Sequence, residues 1–586
     1  MDSAAVLIGV DRTGGALPVL RDAAKSARRM ESWARAQGVD HVAVFTDENG
    51  QSVDVSMLKR AIRDLGERGT VERLIVFFAG HGINVNRGER WLLSDAPNDP
   101  QAAVNVPGSV ELARWGGIPY VAMISDACRT AADGIQGQGV TGSEIFPNEE
   151  IAELELPVDQ FFACRLGRPS HEVADGDTTI KEYRAIYTQA LVGALEGAER
   201  TVVDRKGYVR PRPLKDFLQA DVARRISGLD LQTKLIQVPD ARIASDGEAW
   251  LSRIGGGGPT LGGGGPTGGG GQVEPAATAG PGGDETTQAA LEGMLTPVLG
   301  GNLGEFDDRL LAASHSDVPR IADIGALVER TASTFEATHF ETRCGFKVKG
   351  ARVDDIVVGE LGAEAAGEHG VRINLHGRRA GNVLLVLEGG LGVALPAIQD
   401  FLTTVTVEDG EVAGVAYEPS EGSWRWRIFT RRAREVRALR AVAASSSDYG
   451  VFELDERNAY EVARRMQYAK GIDPALAVYA SYAYADQNRR EFIHEMHNLM
   501  TQDLGGALFD VALLARWRGG GPPYGETFGF APLLAQGWAL LPASRMEVPP
   551  SLRGVERHVL PNSLWTVYDP GGVELITRAF AEGEIR

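Results

Sequence analysis

The chain has 586 residues, of which 43% are hydrophobic and 24% are charged, and its net charge is −19. A chain of this length exceeds one ordinary hydrophobic core, so we expect several domains. The acidic balance argues against nucleic acid as a partner, and three cysteines are too few for a disulfide framework. The first apolar run is too short for a signal peptide, and no segment reaches the ~20 apolar residues that span a bilayer. We therefore expect a cytoplasmic protein without membrane contact.

Residues 1–254 alternate apolar strands with helical segments. The predicted strands lie at 4–10, 42–45, 73–79, 119–125 and 159–164, and the predicted helices at 20–36, 55–65, 181–195 and 214–226. Continuous apolar strands separated by helices are typical of a mostly parallel sheet that helices cover on both faces. The first half is therefore predicted to be an α/β domain.

A glycine-rich segment divides the chain. Residues 255–271 read GGGGPTLGGGGPTGGGG, and we predict a Gly/Pro-rich flexible linker over 255–286 because glycine has no side chain to pack. Beyond it, we predict a separate α+β region over residues 287–430, first helical and then rich in strands. The last of its predicted strands is SWRWRIF (423–429). Residues 431–586 predict a mainly helical C-terminal region.

A histidine and a cysteine follow two strands of the first half. His81 stands after the strand in LIVFFAGHGI, and Cys128 after the strand in VAMISDACRT. Ligands of open α/β sheets bind beyond the carboxyl ends of the strands, so one crossover between the two predicts that both side chains reach the same edge. A nearby imidazole lowers the pKa of a thiol and makes it a nucleophile at neutral pH. Taken alone, each residue fits a structural role better, His81 in a turn and Cys128 in the core, whereas the pair favours catalysis.

A strand followed by GHG, and a later strand followed by DAC, resemble the caspase and metacaspase superfamily of cysteine proteases. The resemblance covers about residues 4–254 and includes FFACRLGRPSHEV and YRAIYTQALVGALEG. It implies that His81 is the catalytic histidine, that Cys128 is the nucleophile, and that the amides of Gly82 and Cys128 form the oxyanion hole. The implied reaction is peptide-bond hydrolysis through an acyl-enzyme. Arg129–Thr130 departs from the residues that usually follow the cysteine in this superfamily, which affects the expected loop geometry.

Asp126 precedes the cysteine by two residues. By the resemblance, caspases that cut after aspartate carry glutamine at this position, whereas metacaspases that cut after arginine or lysine carry aspartate. A buried carboxylate without a basic partner is costly, so it favours a cationic substrate side chain. We therefore predict cleavage after arginine, with lysine second. The alternative is that Asp126 caps a helix or pairs with Arg129.

The resemblance to metacaspases also implies a second acid in this pocket, near the first helix. Ser26 falls at about that position, so the second acid is expected to be missing. Asp11 and Asp22 are the candidates that could replace it.

The segment 131–158 separates Cys128 from the next strand. It is acidic and contains no lysine or arginine, so an enzyme specific for basic residues cannot cut itself there. Activation would require a cut within RKGYVRPR (205–212) or an upstream protease. The acids of this segment are candidate ligands for calcium, which many metacaspases require as an activator. The alternative is a solvated acidic loop. We expect no other cofactor and no metal ligand.

The favoured hypothesis is a cysteine endopeptidase that acts on protein substrates, with a regulatory or substrate-recognition region at its C-terminus. By analogy alone, such a protein belongs to bacterial stress, cell-death or antiviral defence systems. One alternative is a catalytically inactive binding or scaffold protein with a caspase fold. Another is a caspase-fold peptidase of other specificity.

Overall fold

A computed structural model describes residues 2–254 and 343–585, with short gaps. The gaps lie at 16, 21, 86–87, 128–129, 132–138, 149–150, 153–154, 165–178, 228–238, 366–369, 409–410, 449–455, 488, 516–525, 545, 547 and 561–562. The predicted nucleophile Cys128, the predicted linker and the helical segment predicted at 290–335 thus lie outside the described residues.

Twelve strands and five helices are described in the first half. The strands are β1 Asp2–Gly9, β2 His41–Thr46, β3 Val71–Gly80, β4 Gly82–Val85, β5 Gly88–Leu92, β6 Ala103–Asn105, β7 Tyr120–Ala127, β8 Thr130–Ala131, β9 Val158–Phe162, β10 Tyr208–Val209, β11 Asp240–Arg242 and β12 Ser252–Arg253. The helices are α1 Ala23–Ala36, α2 Val55–Glu67, α3 Val106–Ala113, α4 Thr179–Leu195 and α5 Pro211–Ser227.

Six of these strands form the central sheet, in the order β11-β9-β7-β3-β1-β2. All pairs are parallel except β11 with β9. Alternate residues of β3 face two cores, because Phe77 packs with Trp33 and Tyr187 of α1 and α4, whereas Phe78 packs with residues of α2 and α3. The predicted α/β class, with a mostly parallel sheet covered on both faces, is confirmed.

A second, smaller sheet has the order β6-β5-β4-β8 and was not predicted. Its strands are two to five residues long and lie within an apolar stretch, so they carry no clear alternation of polar and apolar residues. Strand β4 begins one residue after His81. This sheet therefore supports the segment on which the proposed chemistry depends.

Among the described residues, the second half contains three further sheets and six helices. The strands are β13 Gly345–Lys349, β14 Val353–Val357, β15 Gly362–Ala365, β16 Gly370–Asn374, β17 Ala380–Leu387, β18 Gly392–Ile398, β19 Phe401–Glu408, β20 Glu411–Pro419, β21 Gly506–Leu508 and β22 Glu526–Phe528. The helices are α6 Trp426–Asp448, α7 Glu456–Ala469, α8 Ala475–Asp486, α9 Arg490–Leu504, α10 Phe509–Ala515 and α11 Pro570–Ala581.

Most strands and helices of this half share one hydrophobic core, while Ile576 and Phe580 of α11 belong to a second buried cluster. Phe401 and Tyr417 of the sheet with the order β15-β16-β13-β19-β20 belong to the same buried cluster as Leu476 of α8 and Met496 of α9. Helix α6 runs across residue 430, where we predicted a boundary, and that boundary stays a prediction. Among the described helices, none combines the length and apolar character that crossing a membrane requires.

The predicted strand SWRWRIF is wrong, because a helix begins inside it. The amide of Arg425 donates to Ser423 Oγ at 3.2 Å, and α6 starts at Trp426. Trp424 is 68% exposed, while Arg425 and Phe429, four residues apart, are buried. The alternation of tryptophan and arginine imitates a strand, but burial here follows the helical period.

Candidate active site

The carboxyl ends of β3 and β7 lie side by side. In this parallel pair, Gly80 is the partner of Ala127. His81 directly follows Gly80, and Cys128 directly follows Ala127 in the sequence. The register thus brings His81 to the edge at which the strand leading to Cys128 ends, as the spacing predicted. The position of Cys128 itself is outside the described residues.

The imidazole of His81 is buried and oriented by a main-chain carbonyl. His81 is 4% exposed, and its Nε2 lies 2.7 Å from the carbonyl oxygen of Pro18. A carbonyl oxygen only accepts, so this contact requires a proton on Nε2. In the neutral ring, Nδ1 is then the nitrogen that can take up a proton. Sequence reasoning missed Pro18, because a main-chain oxygen carries no residue signature.

The loop that carries Pro18 is fixed at both ends. The amide of Leu20 donates to the carbonyl of Asp11 at 2.8 Å, and the amide of Asp11 donates to Asp47 Oδ1 at 3.0 Å. The other end continues into α1. These bonds hold the carbonyl of Pro18 in place against the ring of His81.

The two candidates for a second pocket acid both have local partners at the start of α1. Asp11 Oδ1 accepts the amides of Ala23 and Ala24 at 3.0 and 3.2 Å, and burial raises the pKa of Asp11. Asp22 lies 3.6 Å from Lys25 Nζ. Their part in a substrate pocket remains a prediction.

Gly82 opens the β4–β5 hairpin next to the histidine. It is the partner of Trp91 in β5, and the amide of Leu92 donates to the carbonyl of His81 at 2.9 Å. On the other side of β4, Ile83 is the parallel partner of Thr130, two residues after Cys128. The backbone around Gly82 is thus held on both sides, as a preorganised amide donor would require.

Asp126 is half-buried near the end of β7, on the face covered by α4. Thr188 Oγ1 donates to Asp126 Oδ2. Burial raises the pKa of the neighbouring Tyr187 hydroxyl, and the charge of Asp126 raises it further. Arg129, the alternative partner, is outside the described residues. The predicted role of Asp126 as the pocket acid stays a prediction.

A buried polar group on the opposite face joins the hairpin to β7. Glu89 Oε1 accepts Trp91 Nε1 at 2.8 Å and Ser125 Oγ at 2.5 Å. The Trp91 ring stacks on Phe78 with 4.9 Å between the ring centroids. The hydrogen bond from Ser125 to Glu89 fixes β7 against the hairpin that follows His81, at the residue directly before Asp126. Sequence reasoning missed it, although a glutamate in the run GERWLL was a visible signal.

The described acids of segment 131–158 have protein partners. Glu144 accepts Asn105 Nδ2 at 2.8 Å, and Glu155 pairs with Arg114 at 2.7 Å. Within the part of the chain that the structure describes, no group of three or more His, Cys, Asp or Glu side chains is arranged to hold a metal ion. Calcium therefore remains an expectation.

No protein-family model matches the chain, and no curated protein sequence does. Solved caspase structures do match. The initiator caspase Dronc from Drosophila is 10% identical over 41% of this chain and 78% of its own, with a TM-score of 0.26. Caspase-1 from Spodoptera frugiperda is 13% identical over 43% of this chain and 86% of its own, with a TM-score of 0.26. Pro-sf-caspase-1 is 14% identical over 43% and 92%, with a TM-score of 0.25.

Similarity of this size says nothing about activity. The fold class described above depends on the strand order and pairing of the chain itself.

Proposed function

We propose that the chain is a cysteine endopeptidase that cuts proteins after basic residues, arginine before lysine. The observation that carries this proposal is the register of β3 with β7, which brings a buried and oriented His81 to the edge where Cys128 follows. The carbonyl of Pro18 fixes the orientation of this ring.

In the proposed reaction, the Cys128 thiol gives its proton to Nδ1 of His81. The thiolate then attacks the substrate carbonyl, and the amides of Gly82 and Cys128 stabilise the oxyanion. His81 returns the proton to the leaving amine, which leaves an acyl-enzyme that water hydrolyses. The carbonyl of Pro18 keeps the ring in the required tautomer and stabilises the imidazolium that forms transiently.

The proposed specificity comes from Asp126. A carboxylate near the end of β7 would pair with the guanidinium of a substrate arginine in two hydrogen bonds, and with a lysine ammonium less well. The bond from Thr188 occupies one side of the carboxylate and would hold it in one orientation.

The test uses fluorogenic peptides that end in arginine, lysine or aspartate, with and without calcium. We expect the wild type to cleave the arginine peptide fastest and Cys128→Ala to be inactive. His81→Ala should lower kcat/KM about a thousandfold. His41→Ala is the matched control, because His41 lies at the start of β2, 3.6 Å from Asp2, and should leave the rate unchanged.

Two results would contradict the proposal. Failure of the folded wild type to react with a thiol-directed peptide probe would favour a binding or scaffold protein. Preferred cleavage after another residue type would favour a peptidase of other specificity.

A further inference from the structure

The second half of the chain contributes to the core of the first. We call residues 535–543 the strap. Ala543 is fully buried in the hydrophobic cluster that contains Phe78, Trp91 and Val110 of the first half. The carbonyl of Ala539 accepts Asn105 Nδ2 at 2.9 Å. The strap therefore fills space inside the caspase-like domain and does not merely lie on its surface.

The strap also contacts the hairpin that follows His81. A methyl group at Gly88, the first residue of β5, would lie 3.2 Å from Ala539 Cβ, so the backbone of the hairpin approaches the strap closely. Asn105, which the strap binds, is the last residue of β6. The strap thus touches two strands of the small sheet that also contains Gly82.

A buried ion-pair network holds the same interface. Arg490, the first residue of α9, pairs with Glu111 of α3 and, at 2.8 Å, with Glu155. Arg114 pairs with Glu155 at 2.7 Å, so two cations and two anions alternate. Arg490 also donates to the carbonyl of Leu514 at 3.1 Å, which anchors it within its own half.

Three of the four side chains in this network are buried, and the fourth, Glu155, is 17% exposed. Glu111, Arg114 and Arg490 are between 5% and 8% exposed. Burial lowers the pKa of Arg490, but Glu111 and Glu155 outweigh it and raise that pKa overall. Loss of Arg490 alone would leave the negative charges of Glu111 and Glu155 unbalanced in this interface, which strongly disfavours association of the two halves.

We infer that the strap and Arg490 bind the C-terminal region permanently to the caspase-like domain and position the hairpin of His81 and Gly82, so that cutting the linker leaves a two-fragment protein. The C-terminal region is then neither a removable inhibitor nor a freely tethered domain. The catalytic consequence rests on the proposed function, whereas the association of the two fragments does not.

The first test places a site for a sequence-specific protease within residues 255–271 of the full chain. After the cut, the two fragments of the wild type should elute together from a sizing column at submicromolar concentration. Arg490→Ala should weaken their association about a hundredfold or more. Arg490→Lys, which keeps the charge but loses the fork of donors, should weaken it about tenfold and guards against a variant that does not fold.

Arg489→Ala is the matched control for this test. Arg489 is the neighbouring residue, its side chain is 56% exposed, and its partner Glu491 lies 3.7 Å away within the same half. The control should elute as the wild type does. Separation of the wild-type fragments, or equal behaviour of the Arg489 and Arg490 variants, would overturn the inference.

The second test follows the hairpin itself. In Arg490→Lys, amide hydrogen exchange in β4 should become faster, and kcat for the arginine peptide should fall about fivefold to tenfold while KM stays within about twofold. A rise in activity would show an inhibitory contact and overturn the inference. If the wild type cleaves no peptide, the proposed function fails, and fragment association and exchange still decide this inference.

Discussion

At the scale of single residues, the two side chains central to the proposed chemistry are held by partners far along the chain. His81 is oriented by the carbonyl of Pro18, and Asp126 accepts a hydrogen bond from Thr188. A main-chain carbonyl and a threonine hydroxyl carry no charge near neutral pH. Each partner therefore fixes the orientation of its side chain without adding a charge to the site.

The two interpretations of Asp126 can be separated at this scale. Asp126→Asn should lower kcat/KM for the arginine peptide at least about a hundredfold, because the charge that would pair with the substrate is lost. Thr188→Val removes only the hydrogen bond and should keep the preference for arginine, with a loss within about tenfold. Peptide kinetics on both variants provide the measurement. Equal losses would mean that Asp126 acts only as the structural partner of Thr188.

At the scale of elements, a buried carboxylate holds the loop that leads into the strap. Asp510 of α10 is fully buried and accepts the Tyr482 hydroxyl at 2.8 Å and the amides of Leu533 and Leu534. Those two residues lead directly into the strap. Burial outweighs the three donors and raises the pKa of Asp510 to about 6.

This raised pKa predicts a pH dependence of stability. An unfolded aspartate titrates near pH ~4, so between about pH 4 and 6 the folded chain holds a proton that the unfolded chain has lost. The contribution of Asp510 is therefore full below this window and falls as the pH rises through it, by about 3 kcal/mol in the free energy of unfolding.

Denaturant unfolding at several pH values measures this effect. Asp510→Asn should flatten the fall between about pH 4 and 6. Asp64→Asn, at an exposed position on α2, controls for the loss of a surface carboxylate. The same slope in the wild type and in Asp510→Asn would contradict the prediction.

At the scale of the whole molecule, the acidic segment 131–158 connects the site to the interface between the halves. Ile145 and Phe146 are buried in the core of the first half, and Glu155 pairs with Arg490 of the second. The segment is therefore packed at these positions, and it lacks the basic residues that the proposed specificity requires.

Two independent reasons thus predict that the active protein does not cut itself within 131–158. Mass spectrometry of the purified protein after prolonged incubation should find this segment intact. The segment 205–212 serves as the internal comparison, because it contains the basic residues Arg205 and Lys206, both exposed. A cut between residues 131 and 158 in the wild type that is missing in Cys128→Ala would contradict the prediction.

Five of the six strands of the central sheet were predicted to within a few residues, because a buried strand between two helices is a continuous apolar run. The edge strand β11 was missed, because its three residues carry no such run. The location of His81 at the carboxyl edge of the sheet followed from its position directly after a predicted strand. The small sheet was missed because its strands are too short to show a period. The assignment of SWRWRIF as a strand was wrong because its alternation of tryptophan and arginine imitates the period of a strand.

The sequence by itself determined the α/β class of the first half and the residues that end its strands, because both depend on local periodicity. Only the tertiary structure decided that Pro18 orients His81, that Thr188 binds Asp126, and that Arg490 joins the two halves. These contacts join residues that are distant in sequence, and Arg490 and Glu111 are 379 positions apart. No local pattern encodes such a pair, because its partners meet only after both halves have folded and packed together.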